Sequence, residues 1–189
     1  MPNPFKPTAG ATPPLLVGRR PSLEAFQESI DDGPGSPYLL QLMTGARGVG
    51  KTVMLNELGE VALRNGWVVI HATAGPGMLE RVARRAKRYR QELGTPDRAA
   101  GTTSWKITTP VGEVGRESHD ADPELRVWVD DLADLLEALE EHGTGVCVTV
   151  DEIHSLDLDQ MQVLAGDIQM LIREGRRIAL IMAGLPRAV

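Results

Sequence analysis

Three glycines, a lysine and a hydroxyl side chain lie close together in the segment GARGVGKT, residues 45–52. The segment matches the pattern G-x-x-x-x-G-K-[ST] at every fixed position. Glycines let backbone N–H groups form a concave ring that a side chain would otherwise obstruct. Such a ring, with an ammonium group beside it, is suited to the phosphates of a nucleotide. The spacing therefore predicts a polyphosphate site in this loop.

Each part of the loop has an expected task. We expect Gly45, Gly48 and Gly50 to supply the unusual backbone dihedrals and the close approach to the phosphates. Lys51 should reach the β- and γ-phosphates, and the Thr52 hydroxyl should bind Mg²⁺. The residues expected to surround the nucleotide are Gly45, Ala46, Arg47, Gly48, Val49, Gly50, Lys51, Thr52 and Val53. The alternative is a glycine-rich turn with an accidental lysine.

Two adjacent carboxylates end a second segment, VCVTVDE, residues 146–152. We expect Asp151 to support the metal ion and Glu152 to act as the base that polarises an attacking water. Adjacent side chains at the end of a strand point in different directions, so one can face the metal ion and the other the terminal phosphate. The alternative is that both acids cap the helix that follows.

Regular elements must position these residues. The run YLLQLM, 38–43, is short, apolar and bounded by breakers, which predicts a buried strand before the loop. The segment 52–66 has apolar residues at helical spacing and predicts a helix after it. A helix that begins near Lys51 would direct its unpaired N–H groups and its positive dipole end towards an anion.

The rest of the chain alternates between apolar runs and amphipathic stretches. The runs predict strands at 67–74, 145–150 and 178–183. The stretches predict helices at 21–30, 78–94, 123–143 and 158–175, and a small hairpin is predicted at 104–114. This alternation predicts an α/β fold with a mostly parallel central sheet and helices on both faces.

Composition narrows the classes further. The chain has 189 residues, of which 42% are hydrophobic, as in a globular domain. A net charge of −6 disfavours a whole-protein electrostatic grip on nucleic acid. A lone cysteine, Cys147, excludes an intrachain disulfide. The sequence has neither an apolar run of membrane-spanning length nor a signal peptide, so we expect a cytoplasmic protein without membrane contact.

Charge is concentrated in two segments. ERVARRAKRYR, 80–90, carries six basic residues, whereas 117–141 is acidic. On a helix, the basic residues would form a solvated face, and the sharper interpretation is a patch for DNA phosphates or for an acidic partner. The two segments could pair within one molecule or between subunits, so a homo-oligomer stays open.

Together these motifs resemble the AAA+ ATPase module. The resemblance rests on GARGVGKT as a Walker A loop, VCVTVDE as a Walker B strand, and LLVGRR, 15–20, as the V-G-R segment near the adenine. It covers about residues 15–185 and is greatest to bacterial ATPases near the origin-recognition and STAND-type branches. The resemblance implies a three-layer P-loop NTPase fold, ATP and Mg²⁺ as ligands, and Val17 and Gly18 at the adenine pocket.

The resemblance also predicts domain limits. Residues 1–14 should form a proline-rich extended leader, and 15–189 the nucleotide-binding core. In the family, the last strand presents a polar sensor residue, but here it reads IALIMAG, without one at its tip. A fifth strand, a helical lid and an arginine finger would follow, and we expect the chain to lack them. His71 or Thr73 matches a position that restrains the catalytic glutamate in the family.

Three functions follow from these patterns. The first is hydrolysis of Mg-ATP at the β–γ bond, with Lys51 and Glu152 as catalytic residues, slow in isolation. It would drive a partner or an attached domain, including a DNA-binding domain outside this chain. The second is a nucleotide-gated binding module with little or no hydrolysis. The third is a small-molecule phosphotransferase, which the acid pair disfavours because it suits water as the acceptor. No guanine-reading tetrapeptide occurs, which favours ATP.

Overall fold

The computed structural model describes residues 20–93 and 127–186. Within these ranges lie four strands, β1 (Leu40–Thr44), β2 (Val68–Thr73), β3 (Val146–Asp151) and β4 (Ile178–Gly184). The helices are α1 (Arg20–Asp32), α2 (Lys51–Arg64), α3 (Met78–Leu93), α4 (Val127–Glu140) and α5 (Leu158–Arg173), and two 3₁₀ turns span Pro37–Leu39 and Ile153–Ser155. The elements predicted within the described ranges are confirmed, with ends that differ by a few residues. The predicted hairpin, the leader, Val17 and Gly18 lie outside the described residues.

The strands form one parallel sheet in the order β1–β4–β3–β2. Thr44 at the end of β1 is in register with Gly184 of β4, and Thr73 at the end of β2 is in register with Asp151 of β3. Because all the strands run in the same direction, the glycine loop after β1 and the acids at the end of β3 lie together at the carboxyl ends of the strands. The predicted α/β class and parallel sheet are confirmed.

Helices cover both faces of the sheet. Helices α1 and α2 pack on one face with Phe26 and Leu58, and α3, α4 and α5 pack on the other with Leu132 and Ile168. Alternate residues of the central strands enter the two cores, so Cys147 faces α2 while Val148 faces α4 and α5. This two-sided burial explains why the central strands are continuous apolar runs.

Strand β1 departs from the prediction of a buried strand, which was wrong. Leu40 and Leu42 are 42% and 59% exposed. Among the described strands, β1 lies at one edge of the sheet, and its face away from α1 and α2 borders an apolar groove of about 460 Å³ between β1, β4 and α5. An apolar run reports residue type but not position in the sheet, so it cannot distinguish an edge strand from a central one.

The basic residues of α3 are largely engaged within the molecule. Arg81 donates to the carbonyls of Pro76 and Thr73, at 2.7 and 3.0 Å, and Arg85 donates to the carbonyl of His71. The carbonyls of His71 and Thr73 belong to β2, the strand at the other edge of the described sheet, and Pro76 follows it. Arg88 pairs with Glu92 at 2.9 Å and Arg90 with Asp134 at 3.8 Å, so the basic and acidic segments do meet within one molecule.

The α-helices of 20–93 and 127–186 include none with the length and apolar character needed to cross a membrane.

Candidate functional site

The glycine loop joins the end of β1 to the start of α2, and its backbone shows why glycine is needed there. Gly48 and Gly50 both have φ of 83°, in the left-handed region that side chains disfavour. Gly50 is also the N-cap of α2, so the first turn of that helix opens directly onto the loop. A Cβ on Gly45 would come within 3.1 Å of the Val49 Cγ2 atom.

Lys51, the first residue of α2, folds back over this loop. Its Nζ atom donates to the carbonyl oxygens of Gly45 and Ala46, both at 2.8 Å. The ammonium group therefore lies at the mouth of the loop, next to the N-terminus of α2. A positive charge next to the N–H groups of the first helical turn forms an environment suited to an anion.

A hydrogen bond connects the loop with the end of β3. Thr52 Oγ1 lies 2.6 Å from Asp151 Oδ2, although the two residues are far apart in the sequence. The other carboxylate oxygen of Asp151, Oδ1, accepts the backbone N–H of Glu152 at 2.8 Å. The carboxylate is thus fixed in orientation on both sides, and a hydroxyl and a carboxylate meet at the mouth of the loop.

This pair of oxygen donors fits Mg²⁺. Mg²⁺ prefers oxygen ligands and is often bound by one or two protein groups together with substrate phosphates and water. Thr52 Oγ1 and the Asp151 carboxylate are such a set. The described residues contain no cluster of three or more histidine, cysteine, aspartate or glutamate side chains that could form an all-protein metal cage.

Glu152 has an unusual backbone conformation. Its φ and ψ are 56° and 36°, and it has the sole positive φ found at a non-glycine position in the described ranges. Side chains disfavour this region, and residues held in it persist where their surroundings over-determine them. The Glu152 carbonyl accepts the N–H of Ser155 at 2.8 Å, which closes the 3₁₀ turn. The chain turns after β3 at this residue, and the Glu152 side chain is 53% exposed.

The alternative in which Asp151 and Glu152 cap the next helix is wrong. Asp157 caps α5, because its carboxylate accepts the N–H of Gln160 at 2.8 Å while the Gln160 side chain accepts the N–H of Asp157 at 3.4 Å. Glu152 precedes the 3₁₀ turn but makes no side-chain capping hydrogen bond.

His154 is a site neighbour that the sequence reasoning missed. Its Nδ1 atom lies 3.3 Å from Glu152 Oε2 and 3.3 Å from the backbone nitrogen of Leu185, which follows β4. The available signal in the sequence was a histidine two positions after the acid pair, which is too few residues for the side chain to lie far from the acids. Its contact with Leu185 depends on the pairing of β3 with β4, which no local pattern reports.

The two residues considered as restraints on Glu152 differ in their surroundings. His71 Nδ1 lies 2.8 Å from the buried Thr149 Oγ1 on β3, so its ring is engaged within the sheet. Burial lowers the pKa of His71 below its usual value, and the charge of Arg85 adds to this effect. Thr73 is nearer the site, since it is in register with Asp151.

Known proteins share features with this chain at the level of both sequence family and fold. Residues 15–181 match the family model described as the AAA ATPase domain. A comparison with curated proteins gave no match. Among solved structures, Cdc6p from Pyrobaculum aerophilum aligns with a TM-score of 0.56 and 18% identity, over 95% of this chain and 42% of that chain.

Two further structures are similar at lower scores. The replication initiator DnaA, bound to AMPPCP and single-stranded DNA, aligns with a TM-score of 0.46 and 14% identity, over 91% of this chain and 40% of that chain. The Aeropyrum pernix Orc1 protein in complex with DNA gives 0.43 and 18%, over 94% and 41%. This chain thus spans about two fifths of the length of these proteins.

The likeness to Cdc6p, at so low an identity, shows a shared fold. The family match covers most of the chain and includes both the glycine loop and the acid pair, which confirms the resemblance inferred from the motifs. The chain belongs to the AAA ATPase domain family.

Proposed function

We propose that this chain is an ATP-binding domain that hydrolyses Mg-ATP between its β- and γ-phosphates. The observation that carries the proposal is the 2.6 Å hydrogen bond between Thr52 and Asp151. It brings the first turn of α2, with the ammonium group of Lys51, against the end of β3, where Glu152 follows. The phosphate-binding groups, the metal-binding groups and the general base then lie together at the carboxyl ends of the strands, as phosphoryl transfer requires.

In this proposal each residue has a distinct role. The backbone N–H groups of 45–52 and the ammonium group of Lys51 bind the phosphates, and Val17 and Gly18 lie against the adenine. Thr52 and Asp151 would hold Mg²⁺, which neutralises phosphate charge when it is bound. The Glu152 carboxylate orients a water molecule and accepts its proton as the water attacks the γ-phosphorus in line.

The cycle of binding and hydrolysis acts on a partner, an attached domain or a second copy of the chain. Contact with DNA, in this proposal, belongs to a domain outside these 189 residues. Helix α3 is disfavoured as a DNA surface because Arg81, Arg85, Arg88 and Arg90 already contact groups of the same molecule. The net charge of −6 disfavours nonspecific binding to the phosphates of DNA as well.

A second candidate is a nucleotide-gated module that binds ATP with little or no turnover. The observation that favours it is the end of β4, where Met182, Ala183 and Gly184 offer no polar side chain to a γ-phosphate. A site that does not contact the γ-phosphate from this strand has one group fewer with which to stabilise the charge that develops during transfer.

Two measurements test the proposal. Calorimetric titration with Mg²⁺ and a non-hydrolysable ATP analogue reports binding, and phosphate release from ATP reports turnover. Lys51→Ala should abolish saturable binding, whereas Lys87→Ala, on the exposed face of α3, should bind like wild type. Glu152→Gln should bind nucleotide within a few-fold of wild type but release phosphate about 10²- to 10⁴-fold more slowly, as expected for loss of a general base.

Glu141→Gln is the matched control for Glu152→Gln, because Glu141 is exposed and lies before the amino end of β3, whereas Glu152 follows its carboxyl end. Phosphate release from wild type as slow as that from Glu152→Gln and from a protein-free blank, with binding intact in both proteins, would select the binding module. Absence of saturable binding to the wild-type chain would refute both candidates.

A further inference from the structure

His154 lies between the acid pair and the end of β4. Its Nδ1 atom is 3.3 Å from Glu152 Oε2 and 3.3 Å from the backbone nitrogen of Leu185. The side chain is 29% exposed, so it is largely enclosed by the turn and by β4. A single ring atom therefore lies near both a carboxylate oxygen and a backbone N–H.

These two contacts exclude each other. A ring nitrogen that carries a hydrogen donates and cannot accept, whereas one without a hydrogen accepts and cannot donate. In the structure Nδ1 accepts the N–H of Leu185. With a hydrogen on Nδ1, His154 could instead donate to the nearby Glu152 Oε2, and the N–H of Leu185 would lose that acceptor. With the hydrogen on the other ring nitrogen, Nδ1 accepts from Leu185 and Glu152 loses its donor. Exchange between the two neutral tautomers is sufficient, because each has only one N–H.

The frame around this histidine is tightly packed. A Cβ on Gly184 would lie 2.6 Å from Ile153 Cγ2 and 3.3 Å from the backbone nitrogen of His154. The end of β4 thus touches the turn that carries both Glu152 and His154. The left-handed backbone of Glu152 is disfavoured for a residue with a side chain and persists where the surrounding structure holds it.

We propose that His154 is a positioning residue for Glu152, and that its Nδ1 atom connects the carboxylate with the backbone N–H of Leu185, directly after β4. Nδ1–H orients the carboxylate towards the water when it donates to Glu152. When Nδ1 instead accepts from Leu185, the carboxylate is not restrained. In this way the residue directly after β4 influences Glu152 through its backbone N–H, although the tip of β4 has no polar side chain. The inference rests on the proposed function and deepens it.

The kinetic test separates positioning from a merely structural role. His154→Ala should lower kcat about tenfold or more, the value of one hydrogen bond to a charged group, with KM and nucleotide affinity within twofold of wild type. His154→Asn, which returns a polar group near Nδ1, should recover a large part of kcat. His142→Ala is the control, because His142 lies before the amino end of β3, away from Glu152. A kcat of His154→Ala within twofold of wild type overturns the inference.

A second test does not need turnover. The amide signal of Leu185 is followed by NMR in wild type, Glu152→Gln, His154→Ala and the double variant. Replacing the carboxylate with an amide weakens the contact from His154, so Nδ1 turns to Leu185 and the Leu185 amide proton should shift downfield. In the His154→Ala background, Glu152→Gln should leave that signal unchanged.

The outcomes of the two tests distinguish the inference from the function on which it rests. A coupled shift in a chain without phosphate release would refute hydrolysis but support the connection through His154. The same Leu185 shift in both backgrounds would overturn the connection, whatever the rate of phosphate release. Melting curves of the His154 variants report folding, and His154→Leu, which has no ring nitrogen, replaces His154→Ala in both tests if His154→Ala does not fold.

Discussion

Replacing Gly184 with alanine probes the contact between the end of β4 and the turn that follows β3. Gly184 lacks the positive φ that strains other residues, so alanine is compatible with its backbone. The added Cβ would, however, meet Ile153 Cγ2 at 2.6 Å and the backbone nitrogens of His154 and Ile153 at 3.3 and 3.4 Å. The substitution therefore tests packing alone.

The magnitude follows from these distances. Ile153 is 6% exposed, so its side chain cannot move into solvent, and the two backbone atoms belong to a closed turn. Relief requires the turn or β4 to shift by several tenths of an ångström. Overpacking of this kind costs about 1–3 kcal/mol. In a domain of this size each kcal/mol lowers Tm by about 2–4 °C, so Gly184→Ala should melt about 2–12 °C below wild type.

Gly166→Ala is the matched control. Gly166 lies within α5, and a Cβ there would meet nothing within 4 Å. Alanine is preferred to glycine inside a helix by about 0.5–1 kcal/mol, so this variant should melt at or above the wild-type temperature. The same chemical change is thus expected to have opposite signs at the two positions.

Urea unfolding followed by circular dichroism measures both free energies of unfolding. Phosphate release, measured below the unfolding transition, should also fall for Gly184→Ala, because a displaced turn carries Glu152 with it. A free energy of unfolding for Gly184→Ala within about 0.3 kcal/mol of the wild-type value would be no larger than ordinary additivity error. It would show that the turn and β4 are not packed as described.

Three other properties can be tested. Burial raises the pKa of Cys147 to about 12, so iodoacetamide should modify the folded chain far more slowly than the urea-unfolded chain, and similar rates would refute this. Because the folded-state pKa of His71 is lowered, its stabilising contribution is present above about pH 6.5 and is lost as the pH falls below that value. The free energy of unfolding should accordingly fall more steeply from pH 7 to 5 in wild type than in His71→Asn, and equal slopes would contradict the assignment. Asp157→Ala should lower the free energy of unfolding by about 0.5–2 kcal/mol through loss of the α5 cap, whereas Asp159→Ala, which leaves the cap intact, should change it less; equal losses would show that the cap is not the cause.

The sequence by itself determined the local features of this protein. The glycine loop was recognisable because backbone conformation at Gly48 and Gly50 restricts the residue type at those positions. Helices were predictable because one-sided burial imposes a period on apolar residues, and central strands because two-sided burial makes them short continuous apolar runs. Accordingly α2, β3 and β4 lie close to their predicted ranges. The parallel sheet followed from their alternation.

Tertiary structure decided which local features meet. The exposure of Leu42 depends on strand order, and an apolar run is the same at an edge as in the centre. The contacts of Thr52 with Asp151 and of His154 with Leu185 join residues 99 and 31 positions apart, so only the register of the strands brings them together. Sequence periodicity indicates which residues share a face of a helix or strand, whereas burial at the edge of the sheet and contacts between distant residues depend on how the strands are ordered and paired.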